Sequence, residues 1–213
     1  MTAASSSTAA SRSRTRTTAR DLAQIAVFAA LIAALGLPGA LYPVGNAVPI
    51  TLQTLGVMLA GAILGARKGA LSVLLFLALV AAGLPLLSGG RGGLAMFVGP
   101  SVGYLIGWVA GAAVIGWATA RLLPRYRVLP ALGWTAIGGV GVVYLFGIPF
   151  LAVIAHLPLE AAALSALLYL PGDLVKVVVT VFVAKGVHRS WPGLIEPEPW
   201  PWAKRAVAAS ESA

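Results

Sequence analysis

Between Leu22 and Ala66 the chain carries no charged residue, and the same is true of Gly69–Gly90, Gly92–Ala120 and Val128–Leu159. A water-soluble surface cannot be made from such stretches. Soluble domains carry roughly 25% charged residues because their surface must be wetted, and here the figure is 10%, against 59% hydrophobic. A bilayer span takes about 20 apolar residues, so the four stretches have room for five helices, and Ala161–Ala184 adds a sixth. The expected fold is therefore all-α, an integral membrane bundle of six helices near Asp21–Leu37, Thr51–Gly65, Gly69–Leu84, Pro100–Leu122, Ala131–Ala155 and Ala161–Val187.

The placement of charge then orients the bundle. With six spans and the N-terminus inside, every Lys and Arg of the 15 falls on the cytoplasmic side except Arg91 and Lys176. Arg12, Arg14, Arg16 and Arg20 precede the first helix. Arg67 and Lys68 follow the second, Arg121, Arg125 and Arg127 the fourth, and Lys185, Arg189, Lys204 and Arg205 the sixth. Such a bias is what the positive-inside rule demands, and an odd helix number would destroy it. The net charge of +9 thus reflects topology, and nucleic acid is not an expected partner. Both termini are expected in the cytoplasm. Residues 1–20 read as a disordered Ser/Thr/Ala-rich tail, 21–189 as the transmembrane domain and 190–213 as a second tail. In that last segment Pro192, Pro197, Pro199 and Pro201 block a helix, and Trp200 and Trp202 suit a membrane interface. A basic start before an apolar run also resembles a signal peptide, but the run extends as a full span and five more follow.

Small residues predict how the helices meet. Gly99, Gly103, Gly107 and Gly111 recur every fourth residue in helix four, and Gly61, Gly65 and Gly69 repeat the theme around the second hairpin. In lipid, close backbone approach replaces the hydrophobic drive for association. Helix one carries one alanine row at Ala26, Ala30 and Ala34 and another at Ala29 and Ala33. These pack the bundle or form a smooth face for a partner's helices.

Ionisable groups at bilayer depth are functional candidates. Two occur, Asp173 and Lys176, spaced i and i+3 so that they share a helix face and can pair. Ser165, Tyr169 and Thr180 extend that face. Pro171 cannot donate to the Leu167 carbonyl, which predicts a kink and a freed oxygen. The pair either binds a solute or only fixes helix packing. The loop Leu87–Leu94 holds four glycines around Arg91, which is either a donor fork for a ligand carboxylate or an ordinary turn arginine. At the approach to helix two, Asn46 and Gln53 offer the paired donors and acceptors that a cyclic amide or urea needs. Tyr42, Phe97, Tyr104 and Trp108 are candidate apolar walls.

An enzyme is not expected: an intramembrane aspartyl protease needs two carboxylates, and His156 and His188 are peripheral, with no Ser-His arrangement. There is no G-x-x-x-x-G-K-[ST] phosphate loop, and neither a metal-ligand spacing nor any cysteine. Nothing suggests the charged or carbonyl rings of a channel. An apolar cavity with a few convergent polar groups, as in a binding or transport module, fits best.

The runs VPITLQTLGVMLAGAILGARKGALSVLLFLALVAAGLPLLSGGRGGLAMFVGPSVGYLIGW and LYLPGDLVKVVV resemble the BioY family, the biotin-binding S components of energy-coupling-factor (ECF) vitamin transporters. The combination of P-I-T-L-Q-T, G-G-x-G-G, G-P-x-x-G-Y and P-G-D-L-x-K carries the resemblance. It spans helices one to six and leaves out both tails. Ser101-Val102 departs from the Thr-Gly often found there. The resemblance implies a six-helix S-component fold and high-affinity biotin capture from outside, with biotin as transported ligand and no cofactor. It also implies a transmembrane T subunit and two ATP-binding-cassette ATPases as partners, in a bacterial cytoplasmic membrane. Ala26, Ala29, Ala30 and Ala33 resemble the family's A-x-x-x-A surface for the T subunit. Asp173, Lys176, Arg91, Gln53, Asn46, Tyr104 and Tyr169 are the expected biotin contacts, with Lys176 or Arg91 taking the ligand carboxylate. Another small vitamin-like solute is the alternative cargo.

Overall fold

The first helix starts where Thr18 and Asp21 cap each other reciprocally: the Thr18 hydroxyl accepts from the Asp21 N–H while the Asp21 carboxylate accepts from the Thr18 backbone. That box satisfies two N–H groups a helix start leaves orphaned. The computed structural model describes residues 18–40 and 48–200. Asn46, Tyr42, Trp202, the arginines at 12, 14 and 16, and both Lys204 and Arg205 lie outside the described residues. The helices are α1 (Ala19–Ala34), α2 (Gln53–Ala81), α3 (Val102–Leu122), α4 (Val128–Ala136), α5 (Val143–Ile154), α6 (Leu159–Ala166) and α7 (Leu170–Ser190). No strand occurs among the described residues; Leu87 and Arg91 form an isolated bridge.

α2 is not one rod. A straight helix of that length would hold its ends about 43 Å apart, yet the Gln53 side chain touches the Leu86 carbonyl at 3.0 Å. The reversal falls at Gly65, whose φ of 84° and ψ of 177° lie where only glycine is at ease. A β-carbon on Gly69 would stand 2.8 Å from the Ala60 carbonyl oxygen, so the two limbs touch just beyond the turn. This is the hairpin expected from Gly61, Gly65 and Gly69. The limbs, residues 53–64 and 66–81, rise only about 18 and 24 Å, short of a hydrocarbon core of about 30 Å.

α3 crosses in one piece, and α4 and α5 form one rod through a π-helical stretch at Ile137–Val142. Both Val102–Leu122 and Val128–Ile154 are long and apolar enough to span a bilayer. α6 and α7 make the last rod, bent by 49°. With α1 and the two limbs of α2, these are the six helical rods expected from the sequence. The bend falls at residues 167–169, just before Pro171, as anticipated. The Leu167 carbonyl is not freed, however: the Leu170 N–H donates to it at 3.3 Å.

The glycines of α3 are where neighbouring backbones cross. A β-carbon on Gly107 would stand 2.8 Å from Val143 Cα, one on Gly103 would strike Phe146, and one on Gly116 the turn at Gly65–Ala66. α3 is thereby clamped between the hairpin and α5. Gly99, the first of the stripe, meets nothing nearer than Ala95 O at 3.7 Å and lines the cavity instead.

The alanines of α1 divide between two faces. Ala29 is buried in the core with Ile32, Phe76 and Trp108, and Ala33 packs against that core. Ala26, Ala30 and Ala34 are exposed. Of the four alanines expected as a partner surface, Ala26 and Ala30 are exposed while Ala29 is buried and Ala33 half-buried, because rows one residue apart point about 100° apart around a helix.

One end of the bundle gathers several chain segments. Lys68, beside the hairpin turn, pairs with Asp21 at 3.2 Å and donates to Gln24 at 2.8 Å. His188, expected as a peripheral residue, is buried with Nε2 2.8 Å from the Ala62 carbonyl. Residues 191–200, expected as part of a tail, lie across this end. Ile195 sits over Gly65, Glu198 pairs with Arg121 at 3.3 Å, and the Glu198 N–H donates to the Ala120 carbonyl at 2.9 Å. The start of α1, the hairpin turn and the ends of α3 and α7 therefore share one side, as an even number of crossings requires.

Candidate ligand-binding cavity

Residues 48–52 approach α2 without helical structure. Irregular backbone at membrane depth is tolerated only where protein groups satisfy it or it lines a cavity, and here both hold. The Lys176 ammonium donates to the Thr51 carbonyl at 2.7 Å, and the Tyr169 hydroxyl donates to the Val48 carbonyl at 2.8 Å. The cavity beside this segment encloses about 150 Å³. Thr51, Thr54, Arg91, Tyr104, Trp108, Tyr144, Tyr169, Asp173 and Lys176 contribute to its wall.

Asp173 and Lys176 lie in the first turns of α7, 5% and 7% exposed. Their ion pair closes at 2.9 Å. The ammonium also donates to Thr54 Oγ1 at 2.8 Å, so Thr51, Thr54 and Asp173 use all three of its protons. On the carboxylate, Tyr144 donates to Oδ2 at 2.8 Å and Thr54 approaches Oδ1 at 3.4 Å. A buried ion pair is tolerable when further hydrogen bonds complete both partners, and this one is nearly complete. The carboxylate, with about four lone-pair sites, keeps room for one more donor.

Gln53 is 1% exposed. Its amide nitrogen donates to the Ile32 and Leu86 carbonyls at 3.2 and 3.0 Å, and its oxygen accepts from the Ser88 N–H at 3.0 Å. The side chain expected to face a cyclic urea lines the cavity and, with these bonds, ties α1 and the glycine loop to the start of α2. Two consecutive left-handed glycines, Gly89 and Gly90, turn that loop, so that Leu87 and Arg91 exchange backbone hydrogen bonds. Arg91 reaches the cavity wall, and its Nε donates to the Ser88 carbonyl at 3.1 Å.

Tyr104 stands edge-on to both Tyr144 and Tyr169, ring centroids 6.3 Å away in each case. Its hydroxyl is buried and has no hydrogen-bond partner among the described residues. A buried phenol normally finds a partner, which makes this oxygen the cavity's unused polar group. Of the other aromatic candidates, Trp108 lines the cavity while Phe97 packs against the core, and Met96 takes the wall position. No group of three or more His, Cys, Asp or Glu converges on a metal position among the described residues.

The structure brings together Asp173, Lys176, Tyr104, Tyr169, Arg91 and Gln53 around one space. Thr51, Thr54 and Tyr144 complete it and were missed as contacts. Thr51 and Thr54 lie in the P-I-T-L-Q-T run itself. Tyr144 had a signal too: it is the one phenol in an apolar rod and follows the glycines at 138, 139 and 141. The π-helical turn at Ile137–Val142 immediately precedes it and re-phases the helix that carries it.

Among the described residues, a bundle of apolar helices holds an amphipathic cavity with a buried ion pair on its wall, which is the architecture of a membrane solute-binding protein. Residues 7–193 match the model of the BioY family, and the chain belongs to that family. The biotin transporter BioY of Rhizobium etli is 45% identical over 181 residues, covering 81% of this chain and 95% of that protein. The biotin transporter BioY of Rhodobacter capsulatus is 48% identical over 186 residues, with 83% and 97% covered. The crystal structure of the S component for biotin from an ECF-type ABC transporter superposes with a TM-score of 0.78 at 35% identity, covering 82% of this chain and 93% of that one.

Proposed function

We propose that the chain binds biotin in this cavity and takes it up as the S component of an ECF-type transporter in a bacterial cytoplasmic membrane. The observation that carries the reading is the cavity's polar inventory: one buried carboxylate with a spare acceptor site and one unpartnered phenol, set among aromatic walls. Biotin presents a ureido ring with two N–H donors and a carbonyl, an apolar thiolane and chain, and a terminal carboxylate. A ureido N–H donates to Asp173, the ureido carbonyl accepts from Tyr104, and the thiolane lies against Trp108 and the tyrosines. Lys176, its three protons already engaged, pairs with Asp173 and orients it. The ligand carboxylate then falls to Arg91, whose guanidinium suits a two-point contact.

The end that gathers Arg67, Lys68, Arg121, Arg125 and Arg127 faces the cytoplasm, so the glycine loop and Arg91 face outward, toward the biotin supply. Residues 1–20 and 190–213 are the flanking cytoplasmic segments of a transmembrane domain at 21–189. The exposed row Ala26, Ala30 and Ala34 receives the helices of a T subunit. Separate ABC ATPases supply the energy, because this chain carries no phosphate-binding loop. The test is mass spectrometry of the denatured, purified chain. Stoichiometric biotin, lowered at least tenfold in Asp173→Asn, is expected. A folded wild-type chain that neither carries nor binds biotin sinks the proposal.

A further inference from the structure

The junction between α3 and α4 carries a second cavity, of about 430 Å³, that the biotin reading does not use. Val102–Leu122 and Val128–Ile154 each suffice to cross a bilayer, so residues 123–127 between them lie at a membrane surface. Arg121, Arg125 and Arg127 line the cavity with Pro124, Pro130 and Trp200.

Arg121 is the built part of this site. Its side chain is 8% exposed and lies 3.9 Å from the Trp117 ring centroid, with Nη1 donating to the Trp117 carbonyl at 2.7 Å and Nη2 3.3 Å from Glu198. Its Nε is buried and has no hydrogen-bond partner among the described residues. Arg125 and Arg127 are exposed and make no ion pair among the described residues. One carboxylate facing three guanidiniums leaves the cavity strongly positive. Trp117, Trp134 and Trp200 cluster against one another with centroids 5.5–5.8 Å apart, and tryptophan favours the headgroup level of a bilayer. Beside them the helices present bare apolar surface, with Leu129 81% and Ile137 50% exposed. Charge bias alone accounts for arginines on this side of the membrane. It does not account for their convergence on a concave site walled by tryptophan, with a buried N–H left over.

We propose that this cavity binds the phosphate headgroup of an anionic phospholipid, with its acyl chains lying along Leu129 and Ile137. Arginine presents planar paired donors that match phosphate oxygens, and basic pockets between helices on the cytoplasmic side suit anionic headgroups. The apolar rim favours a lipid over an acidic segment of a partner protein, which has no use for bare leucine facing outward. The strap at residues 191–200 supplies Trp200 as a wall, so the site exists only when the strap is docked.

The experiment is native mass spectrometry of the full chain in detergent, titrated with phosphatidylglycerol or with phosphatidylcholine of the same acyl chains, with and without inorganic phosphate. Phosphatidylglycerol adducts are expected at tenfold lower lipid concentration than phosphatidylcholine adducts, and equimolar inorganic phosphate should not displace them. Arg125→Gln/Arg127→Gln should abolish the preference. Lys185→Gln/Arg189→Gln removes the same charge from the end of α7 and should leave the preference within twofold. Equal loss in both double variants means diffuse surface charge and overturns the site. Displacement by inorganic phosphate means a free-anion site and overturns the lipid assignment. Retained lipid preference in Arg125→Gln/Arg127→Gln, with loss of co-purifying transporter subunits, assigns the surface to a protein partner instead. Should that variant not fold, the wild-type headgroup comparison decides alone, and no preference there refutes the proposal.

Discussion

The sharpest test of the cavity is to take apart the Asp173–Lys176 pair one partner at a time and then together. Asp173→Asn keeps the shape and an oxygen for the Tyr144 hydroxyl, which donates at 2.8 Å, but leaves the buried Lys176 side chain, 9% exposed, without its counter-charge. Breaking a buried pair from one side costs about 3–5 kcal/mol. Lys176→Met leaves the carboxylate unpaired and also strips the Thr51 carbonyl of its donor at 2.7 Å. The double variant contains no unpaired charge. Its remaining cost is the orphaned carbonyl, about 1–3 kcal/mol. The double-mutant cycle should therefore give a coupling above about 2 kcal/mol, toward the upper end for groups in direct contact. An ordinary interhelical side-chain hydrogen bond in a membrane averages only about 0.6 kcal/mol, so the two cases separate. The assay is equilibrium unfolding in mixed micelles, with biotin affinity measured on each folded variant. The double variant should recover stability relative to either single variant while still binding biotin at least tenfold more weakly than wild type. A coupling near that of a neutral hydrogen bond, or a double variant that binds biotin normally, refutes the argument that this pair is both an ion pair and part of the site.

Arg91→Ala should weaken biotin at least tenfold yet change the affinity for biotin methyl ester by less than threefold, about 0.65 kcal/mol at a tenfold value of 1.4; equal losses for both ligands in a calorimetric titration would assign the carboxylate elsewhere. Ala30→Trp should leave biotin binding by the isolated chain intact while impairing uptake by the assembled transporter, because Ala30 is exposed. Ala29→Trp should fail earlier, by destabilising the chain itself, since Ala29 is 2% exposed within the core; thermal unfolding of the purified variants distinguishes the two. Cysteines introduced at Gly39 and Leu157 should react with an impermeant thiol reagent outside intact cells, whereas cysteines at Ala66 and Arg127 should not, and the opposite labelling pattern would invert the proposed orientation.

What the sequence determined by itself was the set of features that the bilayer imposes directly. Hydrocarbon excludes charge and admits only backbone satisfied within its own segment, so the charge-free runs located five helical rods, and the apolar segment around Asp173 and Lys176 a sixth, without knowledge of any contact. A buried charge in lipid is so costly that Asp173 and Lys176 stood out on type and depth alone, and their spacing on one helix made the pairing legible. Glycines at fourth positions marked the close crossings of α3 with α5 and of the hairpin limbs, because only a missing β-carbon permits them. Tertiary structure decided everything that depends on partners distant in the chain. Whether Gln53 faces a ligand or binds backbone rests on Ile32, Leu86 and Ser88, which no local pattern brings near. The same holds for Lys176, whose protons go to Thr51 and Thr54 across more than a hundred residues, and for Tyr144, carried to Asp173 from another rod. The two alanine rows of α1 are chemically identical, and only the packing of Ala29 against the core shows which faces outward. Side-chain hydrogen bonds are satisfied by whatever the fold places within about 3 Å, and that neighbourhood is a property of the folded chain rather than of the residues taken in order.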